Sequence, residues 1–565
     1  MTVSHEDDDI FDEIMEAVGN RGKFQTQFNL TFNLAFVLLA AMPFLNLVLA
    51  MAVPEHWCHV PGREHTNLTM QQWKELTLPK EEGNMEMLTF SKCKMYADVN
   101  ITTLGSLAIE RPLGNDSTRE IVACQSGWDY DNTWYTRTAP SQENWVCDHS
   151  LRVTNTFVFQ QVGLVVGTFI FGNLGDMIGR RPTFFISIAS TALGRCLLTV
   201  SSGIFPLFLT LAIVGSGAES ALFQAPLALS MEVSDSSKRA HIAMLQCLGW
   251  TTGMCLMPMI AWATGDWITF IFITSLPCAS FLFLHRLFPE SPRWLAARGR
   301  ADDALVVLRR IARQNGTQLP HDTASKLATL AARKETVYGV ASLFTGWRLL
   351  RNTIFLACCR MIGVLTYYTM VLNVSNMSGN PFLNFLYQSL VELPGFVLGR
   401  YLGDRLGRRW TATAVLLVVS VCNFLIVATV TTPGLGWLTV ATVVVIRFLN
   451  TIVNYIGYLQ GMELYPTCIR QTGSSVGHVA AGALAILGPY VVYLGTENDV
   501  RYPYAILGAI TALGAVLASL LPETLNQRLP ETLQDAQTFG RDQRYWSWTG
   551  RKRSAAAPEP LYPAK

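Results

Sequence analysis

Long apolar segments alternate with short polar ones along most of the chain. A helix needs about 20 mostly apolar residues to cross the ~30 Å hydrocarbon core of a membrane. Twelve segments meet this requirement, near residues 25–53, 151–171, 182–202, 204–229, 241–263, 267–287, 351–373, 382–402, 410–431, 434–459, 471–495 and 502–521. The pattern therefore predicts an all-α membrane protein with twelve transmembrane helices. An even number of crossings leaves both termini on one side.

The distribution of basic residues predicts which side that is. Segment 286–351 contains twelve Lys and Arg residues, whereas the short loops 374–381 and 432–437 contain none. Because short cytoplasmic loops are enriched in Lys and Arg, we expect segment 286–351 and both termini to be cytoplasmic.

Composition narrows the class of protein. Half of the 565 residues are hydrophobic and 15% are charged, against about 25% charged residues in soluble domains. The formal net charge of +2 provides no basic field for nucleic acid. These values exclude a disordered chain, argue against a soluble enzyme, and predict a lipid bilayer rather than a nucleic acid as partner.

Segment 54–150 then lies outside the cell, and it has extracellular features of its own. It contains three acceptor triplets for glycosylation, at Asn67, Asn100 and Asn115. It also contains four of the twelve cysteines, Cys58, Cys93, Cys124 and Cys147. Four cysteines outside the membrane suggest two disulfides, with three possible connectivities. Triplets also occur at Asn29 and Asn315, but in a predicted span and a predicted cytoplasmic segment.

Charged motifs recur in order along the chain, which indicates an internal repeat. Asp176, in a Gly-rich motif after the second span, recurs 228 residues later as Asp404 after the eighth. The pair Glu232 and Arg239 recurs 231 residues later as Glu463 and Arg470, and Glu290 recurs 233 residues later as Glu523. We therefore divide the chain into 1–24 (N-terminus), 25–287 (N-terminal six-helix bundle), 288–350 (linker), 351–521 (C-terminal six-helix bundle) and 522–565 (C-terminal tail). Two parallel six-helix halves suit a transporter with its site between them.

These motifs predict a charged latch at the cytoplasmic rim. Its predicted members are Asp176, Arg180, Glu232, Arg239, Glu290, Asp404, Arg408, Glu463, Arg470 and Glu523. Ion pairs between the two halves would hold that side closed and would break when it opens. The alternative is that the basic residues only anchor loops at the lipid headgroups.

The motifs also carry a resemblance. Together with Glu290-Ser-Pro-Arg-Trp-Leu, Glu463-Leu-Tyr-Pro-Thr and Pro522-Glu-Thr-Leu, they resemble the major facilitator superfamily. The large cysteine-bearing loop after the first span is similar to that of its organic cation, anion and zwitterion transporter family. The resemblance extends from about Phe24 to Leu525 and implies the major facilitator fold and a transport function.

Ionisable residues within spans are functional candidates because a charge at membrane depth costs several kcal/mol. The deep ones are Arg195, Glu219, Arg360, Glu392, Arg447 and His478. By the resemblance, cation transporters have a carboxylate at the position of Glu392, which would attract an ammonium group. The alternative is a buried Glu392 paired with Arg447 or Arg360. Arg360 would then either neutralise Glu392 or face the cavity and bind a carboxylate.

The eleventh span departs from the family pattern. Nineteen residues beyond Glu463, cation members have Asp and many anion or carnitine members have Arg, but this chain has Gly482. His478, four residues earlier, lies on the same helix face and is either a titrating group or a packing histidine. The resemblance places further cavity residues at Phe223, Gln161, Gln246, Trp250, Tyr367, Phe385 and Asn454, whose aromatic members can bind cations.

We therefore expect a plasma-membrane transporter that moves small organic cations or zwitterions, of the β-alanine, carcinine or carnitine type, by alternating access. An organic anion exchanger is the first alternative, and a non-transporting receptor or sensor is the second. We expect a monomer that is not an enzyme and needs no nucleotide, metal or cofactor.

Gly473-Ser-Ser-Val-Gly matches a hydrolase motif but opens an apolar span instead of following a strand. Gly163/Gly167 and Gly249/Gly253 are predicted helix-packing pairs.

Overall fold

The structure is a computed structural model, and it describes residues 11, 13–82, 88–97, 119–234, 238–332, 340–466, 469–527, 530, 533–541, 543, 545 and 546. The first span is continuous but changes its winding. It consists of α1 (Lys23–Phe28), a π-helical segment (Asn29–Phe36) and α2 (Val37–Ala50). Pro43 lies inside α2, where its missing N–H is tolerated because neighbouring helices surround it.

The segment after the first span forms short strands and helices held by two disulfides. Its elements are β1 (His56–Cys58), α3 (Met70–Thr77), β2 (Lys80–Glu82), β3 (Leu88–Phe90), β4 (Lys94–Tyr96), β5 (Ile121–Ala123), β6 (Trp128–Tyr130) and α4 (Ala139–Glu143). The strands pair as three antiparallel ladders, β1–β6, β2–β3 and β4–β5. Cys58 bonds Cys124 and Cys93 bonds Cys147. The prediction of two disulfides is therefore confirmed, and one of the three connectivities is selected.

Six further helices complete the N-terminal half, and three helices form the linker. The half contains α5 (Leu151–Ile178), α6 (Arg180–Leu198), α7 (Phe205–Gly217), α8 (Glu219–Val233), α9 (Arg239–Thr264) and α10 (Trp267–Ala279). The linker contains α11 (Pro292–Ala297), α12 (Ala301–Asn315) and α13 (Thr323–Ala332).

The C-terminal half repeats this arrangement. Its helices are α14 (Trp347–Leu372), α15 (Pro381–Leu390), α16 (Glu392–Leu406), α17 (Arg408–Thr429), α18 (Gly436–Leu464), α19 (Arg470–Ala485), α20 (Gly488–Glu497) and α21 (Tyr502–Leu520), and the tail adds α22 (Leu533–Thr538). Each of the twelve predicted spans corresponds to one helix or to two or three consecutive segments. Ten of them are long and apolar enough to cross a membrane. The other two, α6 and the pair α15–α16, carry Arg195 and Glu392 inside the span.

The predicted packing glycines lie where helices touch. A Cβ built on Gly167 would lie 1.9 Å from the Gly217 carbonyl oxygen, and one on Gly163 would lie 2.7 Å from that of Ile213. On α9, a Cβ on Gly253 would lie 2.3 Å from the Leu38 carbonyl oxygen of the first span. The glycines therefore permit close helix approach, as the sequence predicts.

The buried apolar side chains pack differently at the two ends of the molecule. We call the end that bears the disulfide-bonded segment the disulfide end and the end that bears α11–α13 the linker end. At the disulfide end one core contains side chains of both halves, such as Leu45 and Phe270 with Tyr368 and Phe382. Each half also has a core of its own. The core of the N-terminal half contains Phe288 and side chains of the linker helices, and the core of the C-terminal half contains Ile456. The halves are therefore packed together at the disulfide end and have separate cores towards the linker end.

Candidate functional site

Glu392 lies between the two halves with its carboxylate fully engaged. It begins α16 directly after the break at Val391, and it is 1% exposed. Arg447 of α18, itself 2% exposed, forms a salt bridge with it. Tyr367 of α14 donates its hydroxyl to Glu392 Oε1 at 3.0 Å. Trp250 of α9, in the other half, donates its indole N–H to Glu392 Oε2 at 3.0 Å. One carboxylate is thus held by both halves.

Arg447 also contacts the aromatic side of this site. Its guanidinium lies 3.4 Å from the centre of the Tyr367 ring, and Nη1 donates to the Tyr367 carbonyl at 3.2 Å. Arg447 is therefore the partner of Glu392, one of the two alternatives that the sequence left open. Arg360 does not form this salt bridge in the described structure, and its guanidinium is bonded to His478 instead.

An aromatic wall continues from this site into the N-terminal half. Phe223 of α8 and Trp250 pack edge to face at 5.3 Å between ring centres, and Phe44 of α2 packs against Trp250 at 5.2 Å. Gln246 donates its amide to the Phe223 carbonyl at 2.8 Å. Phe44 is absent from the sequence prediction, since an aromatic residue in a strongly apolar span has no distinguishing local signal.

Arg360 and His478 form a second polar pair nearer the linker end. Nη2 of Arg360 lies 3.0 Å from Nε2 of His478, and Nδ1 of His478 lies 2.8 Å from the Ser474 carbonyl oxygen. Across from them, Cys247 of α9 faces Tyr458 of α18, and Tyr458 is 41% exposed. The sequence prediction did place both Arg360 and His478 in the cavity, and the structure brings them together.

The remaining predicted cavity residues are more dispersed. Phe385 is buried in the shared core at the disulfide end, and Gln161 of α5 is also buried. Asn454 contacts α14 at Gly363, where a Cβ would lie 2.9 Å from its Oδ1. Gly482 faces the other half: a Cβ there would lie 2.8 Å from Cγ2 of Val165 on α5. The position for which the family resemblance implies a charge is thus a close contact between halves in this conformation.

The repeated motifs form two equivalent capped turns. Glu290 accepts backbone N–H groups of Arg180 at 2.8 Å and Arg181 at 3.1 Å, at the start of α6. Glu523 accepts those of Arg408 at 2.8 Å and Arg409 at 3.2 Å, at the start of α17. A carboxylate is favourable there because the first N–H groups of a helix lack internal partners.

Glycine is required in both turns. Gly179 and Gly407 have positive φ values, +107° and +89°, and a Cβ on either would lie 2.3 Å from a carboxylate oxygen of Glu290 or Glu523. The prediction that these two glutamates pair with arginine side chains is corrected in this conformation, since they cap helices.

The other latch residues also bond within one half. Arg180 pairs with Asp176 at 2.5 Å, and Arg408 pairs with Asp404 at 2.8 Å and with Glu463 at 3.2 Å. Further contacts join Glu232 to the Ser291 hydroxyl, Glu463 to the Thr524 hydroxyl and Arg470 to the Tyr465 carbonyl. The side chain of Arg239 lies outside the described residues. Among the described latch residues no ion pair crosses between the halves in this conformation. The predicted latch breaks when the cytoplasmic side opens, so its role in closing that side stays a prediction.

A second buried ion pair lies in the N-terminal half. Arg195 of α6 and Glu219 of α8 are 2.6 Å apart, and their side chains are 0% and 1% exposed. Nε and Nη1 of Arg195 have no hydrogen-bond partner within the described part of the chain. Both residues were recognised from the sequence as deep charges, but their pairing was not predicted.

Two six-helix halves with repeated capped turns, joined at one end around a buried carboxylate, define a membrane transporter of the major facilitator fold. Comparison with known proteins agrees. The chain belongs to the sugar (and other) transporter family, whose model matches residues 121–535, and it is not an enzyme.

Its relatives narrow the family further. The organic cation/carnitine transporter 2 of Homo sapiens is 30% identical over 93% of both chains. The carcinine transporter of Drosophila melanogaster is 29% identical over 97% of this chain and 82% of its own, and the Drosophila β-alanine transporter is 28% identical over 93% and 89%. An inward open structure of the xylose transporter XylE from E. coli has a TM-score of 0.55 at 16% identity, covering 72% of this chain and 92% of its own, which shows the shared fold.

Proposed function

We propose that this chain transports small organic cations or zwitterions across the plasma membrane by alternating access. The observation that carries the proposal is Glu392, a buried carboxylate at mid-span that is bonded by Trp250 of one half and by Arg447 and Tyr367 of the other. The names of the relatives, which include organic cation, carnitine, carcinine and β-alanine transporters, support this substrate class.

The site suggests how substrate binding drives the conformational change. An ammonium group would compete with Arg447 and Trp250 for Glu392, because attraction between opposite charges is strong where water is excluded. The rings of Phe223, Trp250 and Tyr367 would bind the cation by their faces. Since the Trp250 indole N–H joins the two halves, its displacement from Glu392 would loosen their contact and favour rearrangement.

Charge also limits the substrate. A dianion would meet Glu392 without compensation, at a cost of several kcal/mol for a desolvated like-charge contact. We therefore expect amines and amino-acid-like zwitterions to compete for uptake and dicarboxylates not to compete.

The linker contains one acceptor triplet for glycosylation, and its asparagine is not free to be modified, which supports a cytoplasmic linker. Asn315 is engaged with the N-terminal segment: its amide donates to the Gly19 carbonyl at 2.7 Å, and its Oδ1 accepts the Phe24 N–H at 2.9 Å. Asn29 is likewise buried. Asn67 on the disulfide-bonded segment is exposed and open to modification, whereas Asn100 and Asn115 lie outside the described residues. This contrast fits an extracellular disulfide end and glycosylation there.

Uptake of labelled amines, zwitterions and anions into cells expressing the chain tests the proposal. We expect uptake of cations or zwitterions, its loss in Glu392→Gln at normal surface level, and partial recovery in Glu392→Asp. Glu497→Gln, an exposed carboxylate on α20, is the matched control and should transport normally. Robust amine uptake by Glu392→Gln would contradict the role of Glu392.

Two other outcomes identify the alternatives. Preferential uptake of anions would favour the organic anion exchanger, for which Arg360 would be the binding cation. Absence of uptake for every probe at normal surface level would favour the receptor or sensor.

A further inference from the structure

We propose that Arg360 and His478 form a carboxylate-binding subsite between Glu392 and the linker end, and that His478 takes up a proton when a carboxylate binds there. The inference rests on the proposed function, because it assigns the acidic end of a zwitterionic substrate to this pair.

The hydrogen bonds fix the tautomer of His478. A guanidinium can only donate, so Nε2 of His478 accepts the bond from Arg360 Nη2 at 3.0 Å. Nδ1 then carries the hydrogen and donates to the Ser474 carbonyl oxygen at 2.8 Å. His478 is therefore a neutral imidazole whose single lone pair is directed at a permanent cation.

Arg360 differs from the other deep arginines in its partners. Arg195 and Arg447 each form a salt bridge with a carboxylate. In the described part of the chain Arg360 forms none, and its Nε has no hydrogen-bond partner. A half-buried cation with an unused, inaccessible Nε donor provides a site for an anion, and the planar fork of a guanidinium matches a carboxylate.

In the part of the chain that the structure describes, the titratable groups beside the pair are phenols and a thiol, not carboxylates. The titratable groups beside Arg360 are the phenols of Tyr458 on α18 and of Tyr465, which follows that helix. His478 faces Arg360 of α14 and the Ser474 carbonyl of its own helix. From the opposite half, Cys247 of α9 faces Tyr458. A bound carboxylate would therefore supply the ion-pair partner that Arg360 lacks among the described residues.

The stem of Arg360 and the ring of His478 have different surroundings. Gly457 of α18 and Gly477 of α19 lie beside the aliphatic part of Arg360, where a Cβ would be 3.7 Å from Cγ and 3.6 Å from Cδ. His478 itself is exposed. The arginine stem is thus packed between two glycines, and its imidazole partner remains accessible.

Carboxylate binding changes the proton balance of this pair. A carboxylate would replace Nε2 of His478 as the acceptor for Arg360. His478 Nε2 could then bind a proton from solution and donate it to the second carboxylate oxygen. One bound anion and one bound proton leave the total charge of the site unchanged. By linkage, a ligand that promotes proton uptake binds more tightly as the pH falls.

The subsite is separate from Glu392. Arg360 precedes Tyr367 by seven residues, so their backbones lie about 10 Å apart along α14. Arg360 is bonded to His478, whereas Glu392 is bonded to Arg447, Tyr367 and Trp250. A substrate that moves to or from the linker end would therefore pass both sites.

The test measures ligand-induced shifts in melting temperature for the full chain in nanodiscs at pH 5.5 and 7.5. The probes are β-alanine, ethylamine, which lacks the carboxylate, and N-acetyl-β-alanine, which lacks the ammonium. We expect the two carboxylates to bind about three- to tenfold more tightly at pH 5.5, within the limit that uptake of one proton sets, and ethylamine to show no such gain.

Variants distinguish the role of His478 from that of Arg360. His478→Gln retains an acceptor for Arg360, so the preference for β-alanine over ethylamine should persist while its pH dependence disappears. Arg360→Gln should lower that preference at both pH values, and Arg360→Lys should recover part of it.

The outcomes distinguish the two proposals. Equal pH dependence for ethylamine and β-alanine, an unchanged pH profile in His478→Gln, or absence of N-acetyl-β-alanine binding in a chain that binds ethylamine would overturn the subsite. Binding of N-acetyl-β-alanine alone, with the expected response to pH and to both variants, would support the subsite and contradict the Glu392 site.

Discussion

The two ends of the molecule use different means to hold the helices. At the disulfide end, side chains of both halves share one core, in which Phe382 stacks on Trp262 at 6.1 Å and packs against Tyr135 at 5.0 Å between ring centres. At the linker end, each half has its own carboxylate, Glu290 or Glu523. This carboxylate caps the helix that follows the glycine turn.

The difference indicates how such a protein can move. The capped turns stay intact when the halves separate, because their bonds lie within one half. The apolar contacts between the halves at the disulfide end must break for that end to open. Glu392 lies between the disulfide end and the linker end and has bonds to both halves. The structure therefore corresponds to the state that is closed at the disulfide end, and the repeated motifs make each half a rigid unit.

The largest effect should come from locking the disulfide end. Cysteines in place of Trp262 and Phe382, joined by a short bifunctional thiosulfonate, should abolish uptake, because the halves could no longer separate there. A reducing agent should restore uptake. Each single cysteine variant, treated identically, is the control, and a crosslinked protein that transports normally would refute the required opening.

A smaller effect should follow from adding one methyl group to the contact between halves. In Gly482→Ala the new Cβ would meet Val165 Cγ2 at 2.8 Å, so the closed disulfide end is disfavoured and uptake should fall several-fold. Val165→Ala removes that atom and should restore uptake in the double variant. A double-variant uptake as low as that of Gly482→Ala would show that the contact is not the cause.

The two capped turns should respond unequally to loss of their aspartates. In Asp404→Asn, Arg408 keeps its bond to Glu463. In Asp176→Asn, the Arg180 guanidinium keeps a bond to the Gly175 carbonyl. We expect both variants to lower maximal uptake rather than apparent affinity, with Asp176→Asn more affected, by about 1 kcal/mol at most for such exposed pairs. Wild-type rates for both would contradict a gating role.

The smallest effect concerns an anchor of the disulfide-bonded segment. Asp266, between α9 and α10, accepts a bond from Arg137 Nε at 2.7 Å. Burial acts to raise the Asp266 pKa, but the bonds from Arg137 and Thr269 outweigh it and lower the pKa. The stability from this pair is therefore present above the unfolded-state pKa and is lost as the pH falls through the lower folded-state pKa. Melting temperature in acid should depend less on pH in Asp266→Asn than in the wild type.

The sequence predicted most of the fold because hydropathy and a repeat of charged motifs depend only on the order of residues along the chain. It also identified Glu392, Arg447 and Arg360 as deep charges. It did not assign their partners, since the pairing depends on how α14, α16 and α18 meet in space. The capping role of Glu290 and Glu523 was missed for a different reason. It uses backbone N–H groups made accessible by positive φ at Gly179 and Gly407, and side-chain identity does not reveal such an acceptor.

Distances between the halves at the two ends test the central claim most directly. Spin labels would replace exposed residues of opposite halves, Val200 and Trp437 at the disulfide end and Phe283 and Trp347 at the linker end, and the distances would be measured with and without the best-transported compound. Alternating access predicts that one distance lengthens as the other shortens, with a short disulfide-end distance in the state described here. Distances that both stay constant during turnover, or that lengthen together, would contradict it.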